Sequence, residues 1–157
     1  MRKIDILLEK YGESHQNKIN KLIHWICVPT IFFSIVGLIH AIPLPFQLEK
    51  TMFLSWATLP MGLIYIYYLK FSKMMLLGFI LWGTFCVWGN NLILDLVQTN
   101  SNLALFNLLI FVIAWIFQFI GHKIEGKKPS FLEDIKFLLI GPAWLLHFIY
   151  KNLRIPY

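Results

Sequence analysis

Four apolar stretches, at about residues 22–42, 51–69, 74–96 and 103–121, dominate a chain of only 157 residues. Each approaches the roughly 20 residues that a helix needs to cross about 30 Å of hydrocarbon. With 58% of its residues hydrophobic and 14% charged, a soluble domain of this length has no core large enough to hide them. The sequence therefore predicts an all-α membrane protein with four transmembrane helices. Two further helices are expected at its ends. Ile4, Leu7, Leu8 and Tyr11 follow the i, i+3, i+4, i+7 spacing of an N-terminal interfacial helix. Residues 135–150 are apolar but short, and the Gly141-Pro142 pair interrupts them, which suits a re-entrant or interfacial helix. No repeat, linker or low-complexity tract divides the chain, so residues 1–157 are expected to form a single helical membrane domain.

Basic residues set the expected orientation, because loops rich in lysine and arginine resist translocation. Arg2, Lys3, Lys10, Lys18 and Lys21 precede the first span, Lys70 and Lys73 join the second to the third, and Lys123, Lys127, Lys128 and Lys136 follow the fourth. The opposite loops carry only Lys50. Both termini are therefore expected in the cytoplasm. The formal net charge of +6 reflects this one-sided bias, and with no basic face on a polar domain no nucleic-acid partner is expected. No signal peptide is visible. The short length and lack of tails favour a bacterial inner membrane over an endoplasmic reticulum. Cys27 and Cys86 both fall inside expected spans and read as small buried hydrophobes, not as a disulfide or a zinc pair.

That topology returns three histidines, His15, His24 and His122, to one face of the bilayer. Each lies in a dense polar cluster, SHQNKINKLIH at 14–24 and QFIGHKIEGKKP at 118–129, and polar clusters at the ends of lipid-facing helices usually carry chemistry. His15 and His24 are nine residues apart, so an unbroken helix would point them to opposite sides. A break is needed for them to share a ligand, and Gly12, Ser14 and the Asn17–Asn20 stretch offer turn and cap chemistry for one. Asn20, four residues before His24, is placed to orient that ring by hydrogen bonding. Gln118, His122 and Glu125 form a second stripe, in which Glu125 either ligates a metal or fixes the histidine from behind. Gly121 allows close approach of another helix. His40 falls at the far end of the first span and reads as an interfacial residue, Asp95 as a helix-end residue meeting water, and His147 as a candidate that a re-entrant path would return to the site.

These residues resemble a known family. The run HxNxxNxxxH from His15 to His24, continued by Val28 to Ile31, and the later WIFQFIGH at Trp115 to His122, followed by Glu125, a Lys-Lys-Pro run and Gly141-Pro142, are similar to the small membrane 2-hydroxy fatty acid dioxygenases of lipid α-oxidation. The resemblance spans nearly the whole chain. It implies iron(II), Fe(2+), held by His15, His24 and His122, with His147 or Glu125 as a possible further ligand. Asn17, Asn20, Gln118 and Glu125 would support the ligands. The implied substrates are a 2-hydroxy fatty acid and dioxygen, with cleavage between C1 and C2 giving an acid one carbon shorter and carbon dioxide. Lys123, Lys127 and Lys128 would draw the substrate carboxylate to the basic face while its tail lies among membrane lipids and apolar helices.

Two other classes use similar residues. A haem- or quinone-linked electron carrier also employs intramembrane histidines, but haem favours axial pairs deep in a bundle, whereas these lie at helix ends. A non-catalytic lipid-binding protein is the other. The histidine boxes of membrane desaturases and hydroxylases are absent from the sequence, which disfavours that enzyme class.

Overall fold

The computed structural model describes residues 2–45, 54–126 and 139–157. Its helices are α1 (Lys3–Gly12), α2 (Lys18–His40), α3 (Thr58–Leu69), α4 (Lys73–Val97), α5 (Asn100–Glu125) and α6 (Ile140–Asn152). Among the described residues every regular element is helical. The chain divides into two compact units, Met1–Phe32 with Val112–Tyr157, and Phe33–Phe111. Helices α2 and α5 each contribute a stretch to both.

Among the described residues three helices, α2, α4 and α5, are long and apolar enough to cross a membrane. Their large apolar side chains point outward in quantity, Leu81, Leu96, Leu109 and Ile116 among them, which suits a hydrocarbon solvent and would be costly in water. The second expected span is shorter than its apolar stretch. A turn at residues 55–57 precedes α3, which has 12 residues and rises about 18 Å, well short of the hydrocarbon thickness. Residues 46–53, which include the start of that stretch and Lys50, lie outside the described residues.

The connections follow local chemistry. Ser72 caps α4 by accepting the Met75 N–H. Gln98, with φ of 61°, closes its far end in the left-handed conformation, and Thr99 Oγ1 accepts the Asn102 N–H at 3.1 Å to start α5. Gly126, with φ of 76°, ends α5. The Gly141-Pro142 pair lies in the first turn of α6, where proline has no intrahelical N–H bond to lose. Residues 135–138 of that apolar stretch lie outside the described residues.

Within Phe33–Phe111 the helices meet through a few polar bonds among apolar contacts. Asn107 Nδ2 donates to Asn90 Oδ1 at 2.8 Å, and Asn90 Nδ2 donates to the carbonyls of Cys86 and Phe33 at 2.9 and 3.3 Å. Gly37 makes room for this junction, since a Cβ there would overlap both asparagine side chains. Tyr68 stacks on Phe79 with centroids 3.9 Å apart, joining α3 to α4. His40 belongs to this unit and is fully buried. Asp95 is exposed. Gly37→Ala is expected to destabilise the protein by about 1–3 kcal/mol through overpacking, read as a lower Tm in detergent; an unchanged Tm would mean that the two asparagines move aside without cost.

Candidate metal centre

The centre lies within the unit formed by Met1–Phe32 and Val112–Tyr157. It starts with the break between α1 and α2. Helix α1 stops at Gly12, and the chain continues as turns in which the Ser14 and His15 N–H groups donate to the Tyr11 and Gly12 carbonyls. Asn17 then starts α2 as its cap. Its side-chain oxygen accepts the Ile19 N–H at 2.8 Å and the Asn20 N–H at 3.4 Å, while its carbonyl takes the Lys21 N–H. His15 is thereby left in the connection, just before the helix that carries His24.

His15, His24 and His122 come together and are all buried. One ring nitrogen from each lies within 4.8 Å of the others. The His15 and His24 rings meet edge to face with centroids 4.2 Å apart, and His122 stands 5.1 Å from His24 and 5.8 Å from His15. Two of the rings have their tautomer set by the backbone. His15 Nδ1 lies 2.7 Å from the Tyr11 carbonyl and His24 Nδ1 lies 3.0 Å from the Asn20 carbonyl. A carbonyl oxygen only accepts, so each Nδ1 carries the proton and each Nε2 is left with its lone pair. Three buried imidazoles, two of them with their donor nitrogens pre-set in this way, fit a divalent transition metal.

Asn20 orients His24 through its main-chain carbonyl, not through its side chain. The side chain serves another purpose, because Asn20 Nδ2 donates to Glu125 Oε2 at 2.9 Å and lies 3.4 Å from the Ser14 carbonyl. Glu125 Oε1 accepts the Gln16 N–H at 2.7 Å, and Oε2 accepts the Asn17 N–H at 3.0 Å. The carboxylate is thus engaged by the α1–α2 connection and stands at the positive end of α2. Gln118, one turn before His122, is buried. His147 stands apart from the three-histidine group, with Nδ1 against the Tyr157 hydroxyl. Burial, reinforced by nearby Lys151, pushes its imidazole below the ordinary range. Lys123 is exposed beside His122, and Lys127 and Lys128 lie outside the described residues.

Two contributors carry no sequence signal. Tyr11, readable only as part of the apolar stripe of α1, stacks on His15 with centroids 4.2 Å apart and planes 16° off parallel. Trp144 of α6 lies 5.5 Å from the same ring. Gly121 has the close neighbour its position implies, for a Cβ there would overlap Asn20 Oδ1 and come 3.4 Å from Ile23. Gly121→Ala is expected to push Asn20 off Glu125 and cost about 1–3 kcal/mol, with a lower Tm in detergent and faster proteolysis near residues 13–17. Wild-type values for both would show that Asn20 yields freely.

Comparison with known proteins follows the same residues. Residues 1–153 match the family described as 2-hydroxy-palmitic acid dioxygenase Mpo1-like. The chain is 30% identical over 149 residues to 2-hydroxy-palmitic acid dioxygenase MPO1 of Saccharomyces cerevisiae, covering 90% of this chain and 76% of the yeast protein. No solved structure matches. The family match takes in every helix and all three clustered histidines, and the chain belongs to the 2-hydroxy-palmitic acid dioxygenase Mpo1-like family.

Proposed function

We propose that this protein is an iron(II)-dependent dioxygenase that cleaves 2-hydroxy fatty acids between C1 and C2, with His15, His24 and His122 as its protein ligands. The observation that carries the reading is the buried three-histidine group in a chain of this family. Iron(II) accepts imidazole donors, and three protein ligands leave positions for dioxygen and for a chelating hydroxy acid. In the overall reaction one 2-hydroxy acid and one dioxygen become an acid one carbon shorter, carbon dioxide and water. The substrate supplies all four electrons, so no organic reductant is required.

The protein's part is to hold its ligands and to place the substrate. The Tyr11 and Asn20 carbonyls keep the His15 and His24 donor nitrogens deprotonated and aimed. Glu125 acts as a clamp on the ligand-bearing connection, while Gln118 and Asn17 complete the polar surroundings. Lys123, with Lys127 and Lys128, draws the carboxylate toward the centre. The acyl tail lies along the apolar helices, in an inner membrane of bacterial type, with four spans and both termini on the cytoplasmic side.

Elemental analysis of the purified protein, paired with oxygen uptake on 2-hydroxypalmitate, tests the reading. His15→Ala, His24→Ala and His122→Ala should each lose bound iron and turnover while still inserting in the membrane, since none contributes to hydrophobic length. Glu125→Gln should weaken iron binding by roughly 10- to 100-fold. Unchanged iron content in the three alanine variants would sink the assignment. For orientation, reporters fused after Tyr157 and within Leu69–Lys73 should both read cytoplasm; a Tyr157 reporter on the opposite side would require another crossing.

A further inference from the structure

His15 is held differently from its two partners. His24 and His122 project from the long helices α2 and α5, whereas His15 lies in the connection spanning residues 13–17. A side chain on a connection has no helix to fix its direction, and here two aromatic rings do so. Tyr11 stacks on the imidazole, and Trp144 contacts both, 5.5 Å from His15 and 5.4 Å from Tyr11. Trp144 is 4% exposed.

The seating of Trp144 is built into the packing of α6 on α1. Gly141, one turn before it, presses against its neighbours so closely that a Cβ would come within 3.1 Å of both Tyr11 Oη and Val28 Cγ1. At the other end of the pair, Arg2 forms an ion pair with Asp5 at 2.9 Å and lies over the Tyr157 ring at 5.1 Å, and the Tyr157 hydroxyl meets His147. The two helices are therefore fastened at both ends. Between them lies a groove of about 510 Å³, with Leu8, Gly12, Gln16, Trp144 and Lys151 in its walls. Trp144 thus lines the groove while its ring also lies against His15.

We propose that Trp144 is a positioning residue for the metal centre, holding the His15 ring in its donor geometry and closing the centre off from the groove between α1 and α6. The proposal rests on the reading of His15, His24 and His122 as ligands. Trp144 touches no reacting atom and acts through His15. An aromatic ring at position 144 is required, because an aliphatic side chain loses the tilted ring contact with the imidazole, 45° between planes, and leaves the groove open to it.

The test uses the full chain, purified in detergent and loaded with cobalt(II) in place of iron. It reads the visible ligand-field spectrum and the rate of metal loss to EDTA. Trp144→Phe should keep the wild-type spectrum and lose metal within about twofold of the wild-type rate. Trp144→Leu should alter the spectrum and lose metal at least about tenfold faster, on the scale of other supports of a ligand histidine. Lys151→Ala, on the same groove but distant from His15, should match wild type. If Trp144→Leu folds poorly, Trp144→Met, with flexible bulk and no aromatic ring, gives the same reading. Wild-type spectrum and metal-loss rate in a folded aliphatic variant would overturn the proposal. A wild-type spectrum in His15→Ala would overturn the ligand assignment itself, a separate outcome.

Discussion

The carboxylate of Glu125 is the interaction on which the centre depends. It accepts two main-chain N–H groups, from Gln16 and Asn17, and the side-chain amide of Asn20. Charge-assisted bonds of this kind are shorter and stronger than neutral ones, and the position at the start of α2 adds the favourable field of the helix end. Every one of those donors lies within five residues of His15, and Glu125 lies three residues beyond His122. One anion therefore fixes the position of a connection relative to a distant helix, and the histidines follow. The Asn17 cap and the Tyr11 and Asn20 carbonyls refine an arrangement that Glu125 has already gathered.

The same economy appears in the other unit. Helices whose surroundings are as apolar as their own side chains gain little from burying leucine against leucine, so their association falls to close packing and to a few polar bonds. Both units pair an asparagine with a glycine for this purpose. Gly37 admits the Asn90–Asn107 junction, and Gly121 admits Asn20. In each case the missing Cβ lets a polar side chain lie flush against a helix backbone and reach its partners. The glycines are specific features of a lipid-facing design and would look unremarkable in composition.

The helices and the three clustered histidines were legible because both are written locally. Apolar runs, the turn chemistry at Gly12 and Asn17, and the polar islands around His15 and His122 each occupy a short window. The extent of α3 was not, since an apolar stretch shows what tolerates lipid and not where the backbone begins to coil. The Gly141-Pro142 pair is equally compatible with breaking a helix and with starting one, and only the fold places it in the first turn of α6. Asn20 was correctly placed to orient His24, but which of its atoms does so was not legible, because spacing cannot distinguish a side-chain bond from one made by the main chain at the same residue. The full burial of His40 has no local signal either, since a position at a span's end does not record what packs over it. Tyr11 and Trp144 meet across 133 positions of sequence, a relation that no local pattern records.

The donors and acceptor of the Glu125 clamp are separated by more than 100 residues, 109 between Gln16 and Glu125. During synthesis the segment bearing His15 and His24 emerges long before α5. The pair has neither His122 nor the Glu125 clamp beside it until α5 has followed, and Trp144 arrives later still. The centre is thus a product of completed insertion. A chain stalled partway would hold two of the three clustered histidines, and two imidazoles offer a metal ion far less than the buried group of three.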